Sequence, residues 1–136
     1  MKTNIYLTFD GRCEEAFQFY ASLLGGKFDA KFPFRGTPAE AHTPPEWLDK
    51  LMHARLDLGE SILMGSDATP DRYQRPQGVF VNLDLRDPNE AERLYKGLSD
   101  GATVIMPLQS TFWAAKFAML VDRFGTPWMI NCEAAA

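Results

Sequence analysis

The chain has 136 residues, 46% of them hydrophobic, and its 14 lysines and arginines against 18 aspartates and glutamates give a net charge of −4. This length suits a single domain, residues 1–136, that buries enough apolar surface to need no disulfide or structural metal. The charges are scattered, so no basic stripe is available to neutralise phosphates. Nucleic acid is therefore not an expected partner.

Signals for export or membrane insertion are missing from the sequence. MKTNIYLTFDG begins with one lysine and then alternates, whereas a secretory signal needs a continuous apolar stretch and a cleavage site. No apolar run approaches the roughly 20 residues of a membrane-spanning helix. Cys13 and Cys132 form no CxxC pair, which favours reduced, partly buried thiols. We expect a cytoplasmic protein with no membrane partner.

The first predicted elements are a strand and a helix. Ile5, Leu7 and Phe9 alternate with polar residues and so share one face of the strand. The segment EEAFQFYASLLGGK (14–27) has the periodicity of an amphipathic helix and ends in glycines, which can take a left-handed cap. Its predicted apolar stripe consists of Ala16, Phe19, Tyr20 and Leu23.

Three more strands are predicted in this half, at 27–33, 51–58 and 61–65. Between the first two lies FRGTPAEAHTPPEW (34–47), whose prolines favour a mobile surface loop. A short helical turn is expected around Trp47 to Lys50.

A turn-rich linker, SDATPDRYQRPQG (66–78), leads to a second copy of the pattern. Its first strand carries Val79, Val81, Leu83 and Leu85, its helix is NEAERLYKGLSDGA (89–102), and later strands are predicted at 102–106, 116–121 and 127–132. At an offset of 75 residues, Glu15, Ala16, Tyr20, Leu23 and Gly26 recur as Glu90, Ala91, Tyr95, Leu98 and Gly101. The order βαβββ therefore occurs twice, which favours duplication over a chance similarity of two amphipathic helices.

Three segments carry a resemblance to a known family: YLTFDGRCEEAFQFY, LMHARLDLGESILMGSD and TFWAAKFAMLVDRFGTPWMIN. Together with the repeat, they resemble the PhnB-like branch of the glyoxalase, bleomycin-resistance and extradiol-dioxygenase (vicinal oxygen chelate) superfamily. The resemblance implies an α+β fold of two βαβββ modules, about 1–67 and 78–136, whose curved sheets form an open cup. It also implies a homodimer with a small-molecule ligand or a divalent metal in the cup.

Members of this branch have also carried a 3-demethylubiquinone methyltransferase label. Methyltransferases hold their nucleotide cofactor with a Gly-rich turn from a strand into a helix. The Gly25-Gly26 pair ends a helix instead of opening one. The sequence therefore gives the label no support.

The resemblance also indicates where a metal would bind. In metal-dependent members, four inward-facing side chains, mostly His and Glu, hold a divalent ion. Matching the family's pattern places these positions near Tyr6, at Met64, near Phe80 and at Met129. None is a good ligand for such a cation, so we expect neither the usual metal site nor a cofactor.

Met64 and Met129 occupy equivalent places in the two halves, in LM before GSD and in WM before INC. Two thioethers would provide a soft, adaptable surface for a ligand. Ordinary core packing is the alternative.

Strand alternation brings several polar residues to the cup. Met52, Ala54, Leu56 and Leu58 are expected to meet the helices, which turns His53, Arg55 and Asp57 the other way. A row of ionisable groups needs partners or water. His53 is a candidate acid or base, or an anion-binding group when protonated. The alternative is a structural histidine that is tied to Asp57 or a backbone carbonyl, or that lies at the dimer seam. Arg55 is a candidate for binding an anion, or a partner of Asp57 or Asp84, and Asn82 is a candidate polar anchor.

The aromatic segment near the C-terminus divides between core and cup. Phe112 and Trp113 lie in a predicted loop at the mouth of the cup, where they can stack on a flat ligand or merely plug the rim. Trp128 and Ile130 belong by alternation to the helix-packed core. Asp122 is expected to cap the turn DRFGTP.

The leading hypothesis is a small-molecule binding protein, or an enzyme of unidentified reaction with His53 as the candidate catalytic residue. Its ligand contacts would be Tyr6, His53, Arg55, Met64, Asn82, Phe112, Trp113 and Met129. One alternative is a metal-dependent lyase, isomerase or dioxygenase with rearranged ligands, such as His53 with Asp57 or Asp84. The other is a drug-sequestering protein of the resistance type.

Overall fold

The structure is a computed structural model in which residues 1–133 are described. The chain divides into two compact units, Met1–Gln74 and Arg75–Ala136. The first contains β1 (Ile5–Phe9), α1 (Cys13–Leu24), β2 (Lys27–Pro33), β3 (Leu51–Asp57) and β4 (Ile62–Asp67). The second contains β5 (Val81–Leu85), α2 (Pro88–Ser99), β6 (Thr103–Gln109), β7 (Ala114–Val121) and β8 (Pro127–Glu133).

Each unit has its own four-stranded sheet, in the order β1-β4-β3-β2 and β5-β8-β7-β6. The first and last strands of each unit pair in parallel, and the other pairs are antiparallel. Both units therefore follow the order βαβββ with the same topology. The predicted α+β class with two βαβββ modules is confirmed.

Helix α1 packs on the first sheet through a stripe that starts earlier than predicted. Cys13, Ala16, Phe17 and Tyr20 are fully buried, whereas Phe19 and Leu23 are only half-buried. The helix begins at Cys13, and the spacing i, i+3, i+4, i+7 from that residue defines the buried stripe. The prediction missed Phe17, whose ring contacts Phe9 and Phe28 at centroid distances of 5.8 and 5.7 Å.

Helix α2 matches its prediction more closely. Ala91, Leu94 and Leu98 are buried, and only Tyr95 of the predicted stripe is half-buried. Asp87 precedes the helix and accepts a hydrogen bond from the Asn89 backbone N–H at 2.9 Å. A short acidic side chain at this position satisfies a backbone donor that the helix leaves unpaired.

Two strand residues differ from the prediction that they pack on the helices. Leu7 and Phe9 are buried, but Ile5 is 39% exposed as the first residue of its strand. Val79 is 73% exposed because β5 begins only at Val81.

Strand β3 also departs from simple alternation at its start. Leu51 and Ala54 are buried, so Met52, predicted to face the helices, is half-buried instead. The pairing of β2 with β3 shifts register between Phe32 and Pro33, opposite this part of β3. Such an irregularity changes which side chains face the core.

The insertion at 34–50 is built of short 3₁₀ helices and has no counterpart in the second unit. The 3₁₀ helices are Pro38–His42 and Pro45–Trp47. The predicted turn around Trp47 to Lys50 directly continues the second of them, and the Lys50 backbone N–H donates to the Trp47 carbonyl at 3.0 Å. A salt bridge from Arg35 to Asp49, with a distance of 2.8 Å, closes the base of the insertion.

Both cysteines are free and fully buried. Burial raises the pKa of the Cys13 thiol, and the charges of Asp67 and Glu14 raise it further. Among residues 1–133, no helix combines the length and the apolar composition needed to cross a membrane.

Candidate functional site

In each unit one sheet face packs on the helix and the other is turned away from it; the second is called the distal face. On the first sheet the buried residues Leu7 and Leu63 mark the helix-packed face. Tyr6 and Met64 alternate with them, pair across the parallel strands and lie on the distal face.

Three rings lie side by side on the first distal face. Tyr6 reaches from β1 across β4 to His53 on β3, where its hydroxyl lies 3.2 Å from Nδ1. The two rings are stacked with centroids 5.8 Å apart and planes inclined by 27°. The Phe32 ring on β2 stacks on the other side of His53. The centroids of these two rings are 6.4 Å apart and their planes are inclined by 17°. Tyr6 is 48% and Phe32 53% exposed, so the row presents accessible aromatic surface.

The hydrogen-bond partner of His53 tests the interpretation that this residue is a structural histidine tied to Asp57. Asp57, the predicted carboxylate partner, instead accepts a hydrogen bond from the Gly59 backbone N–H at 2.8 Å. When Nδ1 carries no proton, the Tyr6 hydroxyl donates to it. His53 is therefore oriented by the Tyr6 side chain and not by Asp57.

Arg55 forms an ion pair with Asp29 of β2. This corrects the expectation that Asp57 or Asp84 would be its partner. The pairing of β2 with β3 shifts register between Phe28 and Ala30, which leaves Asp29 opposite no residue of β3. A bulge of this kind re-aims a side chain, and here it accounts for the unpredicted partner.

Met64 lies between Tyr6 and Arg55 in the sheet register and is half-buried. The equivalent residue of the second unit, Met129, lies between Asn82 and Met119, and Met119 in turn pairs with Met106. All three methionines of this row are half-buried. The second distal face thus carries a continuous thioether row, while the first carries rings.

A small polar cluster borders the methionine row. Asn82 and Asn131 both donate through their side-chain amides to Oδ1 of Asp84, at 3.0 and 3.2 Å. The Asn131 Oδ1 is buried and has no hydrogen-bond partner among the described residues. Asn82, the predicted anchor, is therefore held by an acidic neighbour on its own strand.

Phe112 and Trp113 lie in the loop between β6 and β7, and are 98% and 49% exposed. Phe112 contacts the edge of Trp113 with centroids 4.8 Å apart, and Trp113 contacts Phe117 at 5.3 Å. Trp113 is thus anchored on the sheet while Phe112 projects into solvent.

The residues assigned to the core and turn of the second unit occupy the expected places. Trp128 and Ile130 are fully buried. Asp122 accepts hydrogen bonds from the backbone N–H groups of Phe124 and Thr126, each at 2.9 Å, and from Trp128 Nε1 at 2.8 Å.

The residues at the predicted ligand positions do not offer the donors that a divalent metal prefers. Tyr6 offers a phenol and Met64 and Met129 offer thioethers, whereas such ions prefer imidazole and carboxylate ligands. Over residues 1–133, no group of three or more His, Cys, Asp or Glu side chains is arranged to hold a metal ion.

The sequence patterns did not predict several residues of these faces. Phe28 and Phe32 are four residues apart, so regular alternation would put both on one face. Phe28 instead contacts Phe17 of the helix, and Phe32 contacts His53. The signal for the methionine row was present: Met106, Met119 and Met129 lie on three consecutive predicted strands, but their register was unknown.

Comparison with known proteins agrees with this architecture. Residues 1–131 match the profile of a family described as 3-demethylubiquinone-9 3-methyltransferase. The crystal structure of protein PA1353 from Pseudomonas aeruginosa is similar, with 46% identity over 98% of both chains and a TM-score of 0.89.

Two more distant solved structures share the fold. One, from Bacillus cereus, is described as a putative 3-demethylubiquinone-9 3-methyltransferase, PhnB protein; it is 22% identical, covers 97% of this chain and 99% of its own, and has a TM-score of 0.83. The other is a glyoxalase/bleomycin resistance protein/dioxygenase family enzyme from Burkholderia phytofirmans, 16% identical over 96% of this chain and 97% of its own, with a TM-score of 0.65. The chain belongs to the family described as 3-demethylubiquinone-9 3-methyltransferase, and it shares its fold with the PhnB protein and with the glyoxalase/bleomycin resistance protein/dioxygenase family enzyme.

Proposed function

We propose that this protein binds a planar small molecule on the distal face of its first sheet. The observation that carries the proposal is the row formed by Tyr6, His53 and Phe32. The plane of the His53 ring is inclined by 27° to that of Tyr6 and by 17° to that of Phe32. A flat ligand can stack on such rings, and an aromatic pair contributes roughly 0.5 to 1.5 kcal/mol beyond its buried area.

Polar groups beside the rings would orient the ligand. Arg55 lies next to Met64 in the register, and its guanidinium carries donors beyond those used by Asp29. The His53 imidazole has a second nitrogen besides the one near Tyr6. Binding sites of this kind combine apolar walls with a few placed polar groups.

The distal face of the second sheet is proposed as a separate apolar contact surface of its own unit. Its candidate residues are Asn82, Phe112, Trp113 and Met129. Methionine side chains adapt to irregular shapes, and the half-buried row through Met119 supplies this property.

A metal-dependent lyase, isomerase or dioxygenase is the first alternative. His53 and Asp57 are four residues apart on one strand, which places their backbones about 13 Å apart. That spacing does not let the two side chains share one ion. Elemental analysis of protein purified without chelator tests this alternative, because it requires retained stoichiometric metal.

The family's description raises methyl transfer as a second alternative. The Gly25-Gly26 pair follows the end of α1, and Gly25 takes a left-handed conformation there with φ of 76°. It therefore caps a helix and does not open a cofactor-binding one. Calorimetry with S-adenosylmethionine tests the alternative; saturable binding would favour it over the present proposal.

The proposal itself is tested with ligands found by a thermal-shift screen of planar compounds. We expect Tyr6→Ala, His53→Ala and Phe32→Ala each to weaken binding about tenfold, the effect of losing one stacking contact of roughly 1.4 kcal/mol. Tyr95→Ala is the matched control, since it removes a half-buried ring from helix α2 of the second unit, outside the row. If Tyr6→Ala, His53→Ala and Phe32→Ala all leave every ligand's affinity unchanged, the proposal fails.

Turnover separates an enzyme from a sequestering protein of the drug-resistance type. Each ligand is incubated with the protein and followed by mass spectrometry. A product lost in His53→Ala assigns acid-base chemistry to His53. Intact ligand at saturation assigns sequestration.

We also propose that the protein forms a homodimer. Strand β6 is an edge strand, and its Val104 and Ile105 are 39% and 53% exposed. Exposed edges with apolar residues invite pairing with another chain. Light scattering after size exclusion tests this: a mass near the 15.3 kDa of one chain would contradict it.

A further inference from the structure

A cleft of about 420 Å³ lies in the first unit beneath the insertion. One wall comes from the insertion, with Phe34, Ala39, His42, Thr43 and Pro44, and the other from Met52 and the segment after β4, with Ser66, Asp67, Ala68, Thr69, Asp71 and Arg72. Its volume falls in the range of small-molecule sites, roughly 300 to 1,000 Å³. None of the three rings of the aromatic row lines it, and it has no role in the function proposed above.

The insertion is held in place by contacts that do not depend on a ligand. The Phe34 backbone N–H donates to the Lys50 carbonyl at 3.0 Å, and Asp67 Oδ2 accepts from the Leu51 N–H at 2.9 Å. Thr37 caps the first 3₁₀ helix through the Ala39 N–H. In the second unit only residues 110–113 connect the corresponding strands. The cleft is therefore a formed feature of the first unit alone.

Unused hydrogen-bond donors predominate on the cleft walls. Within the described chain, the side chains of His42, Ser66 and Arg72 make no hydrogen bond or salt bridge. Arg72 alone brings a permanent positive charge and five donors. Its backbone is fixed by a turn in which its N–H donates to the Thr69 carbonyl at 2.9 Å.

The acceptors of the cleft are largely engaged. Asp67 accepts backbone N–H groups from Gly11, Cys13 and Leu51, at 2.9 to 3.0 Å, and is 4% exposed. The Thr43 hydroxyl donates to the Ala39 carbonyl at 2.7 Å. The Asp71 carboxylate accepts a hydrogen bond from the Thr69 hydroxyl, which lowers the pKa of Asp71. The positive charge of Arg72 lowers this pKa further.

We propose that this cleft binds a small hydroxylated anion, whose carboxylate or phosphate is held by Arg72, His42 and Ser66. Arginine is suited to such groups because its planar donors match two anionic oxygens. The ligand's hydroxyl group would donate to the free lone pairs of Asp71, which would otherwise oppose an anion. A carboxylate and a phosphate share this chemistry, so two probes are needed to separate them.

The test is a nitrogen-15 correlation titration at constant ionic strength with glycerate, glycerol 3-phosphate and glycerol. We expect one of the two anions to cause saturable shifts of amides in 39–43 and 66–72, and glycerol to cause none. Which anion binds more tightly identifies the group that the cleft accepts. Shifts that do not saturate, or that glycerol reproduces, would overturn the proposal.

Three variants localise the effect. Arg72→Ala should weaken binding at least tenfold, equivalent to about 1.4 kcal/mol, whereas Arg75→Ala, an exposed arginine outside the cleft, should bind as wild type. Ala39→Leu should also abolish binding, because it fills the cleft without changing any charge. Unchanged affinity in Arg72→Ala or Ala39→Leu contradicts the assignment, and the dispersion of the correlation spectra shows that each variant is folded.

Discussion

The two units repeat one topology but start their helices in different ways. In the second unit, Asp87 caps α2 locally through the Asn89 N–H, two residues away. In the first, Arg12 precedes α1 and provides no side-chain cap. Asp67, at the end of β4, instead accepts the Gly11 and Cys13 N–H groups from 56 and 54 residues away.

This difference shows that one carboxylate distant in sequence can take the place of a local helix cap. Asp67 also accepts the Leu51 N–H, so it joins the start of α1 to β3 and β4. The equivalent position in the second unit is Cys132, which is fully buried. A buried carboxylate with three donors couples elements that a local cap leaves independent.

The largest expected effect distinguishes these two carboxylates. Asp67→Ala leaves three backbone donors, two of them buried, without an acceptor and should lower the free energy of unfolding by roughly 3 to 5 kcal/mol. Asp87→Ala removes one local cap and should cost about 1 kcal/mol. Urea unfolding of both variants measures the difference, and equal losses would contradict the coupling of elements by Asp67.

A second comparison concerns Gly65 and Ile130, which occupy equivalent positions on β4 and β8. A Cβ on Gly65 would lie 2.9 Å from the Leu7 carbonyl oxygen and 2.9 Å from Cζ of Phe17. Gly65→Ala should therefore destabilise the protein by about 1 to 3 kcal/mol through overpacking.

The opposite substitution tests the same packing in the second unit. Ile130 is fully buried, so Ile130→Val removes one methyl group and should cost roughly 0.5 to 1.5 kcal/mol through a cavity. Thermal unfolding compares the variants. A stabilised Gly65→Ala would show that the Phe17 ring moves away freely.

The pH dependence of stability provides a smaller, directional test. Burial raises the pKa of Asp67 from 3.8, although the backbone N–H groups of Leu51, Cys13 and Gly11 oppose the rise. Because the folded pKa exceeds the unfolded one, the contribution of this group is most favourable below pH 3.8 and declines as the pH rises through the folded pKa.

Asp67→Asn isolates that group because asparagine does not titrate. The stability advantage of wild type over Asp67→Asn should shrink between pH 4 and pH 7, measured by urea unfolding at each pH. An advantage that grows over this range would indicate a lowered pKa instead.

The smallest expected effect concerns the base of the insertion. The Arg35 and Asp49 side chains are 54% and 81% exposed, and exposed ion pairs contribute little to global stability. Arg35→Ala should leave the urea midpoint unchanged while speeding hydrogen exchange of the Phe34 and Arg35 amides. Arg93→Ala, which breaks the exposed pair with Glu90 in the second unit, is the control and should leave those amides unaffected.

Most of the fold could be derived from periodicity and repetition. The strands, both helices and the buried Trp128 follow from residues that alternate or recur with regular spacing. Asp122 was predictable because its cap is local to the turn. These features depend on neighbours in sequence.

The features that could not be derived depend on register and long-range contacts. The position of Phe32 depends on irregular pairing after Phe28, which leaves no mark in the sequence. The contact of Tyr6 with His53 requires that β4 lie between β1 and β3. Asp67 resembled any polar residue at the end of a strand, and its role appears only when Gly11 and Leu51 are brought to it.

The strand order has a consequence for assembly. Within the first unit, β4 lies between β1 and β3, so β1 has no strand to pair with until β4 is in place. The antiparallel strands β2, β3 and β4 follow one another in the chain, and local pairings of this kind form early, whereas the β1–β4 pairing must close a longer loop. Strand β1 is therefore expected to be incorporated last, and Tyr6, which it carries, would meet His53 only in that final step.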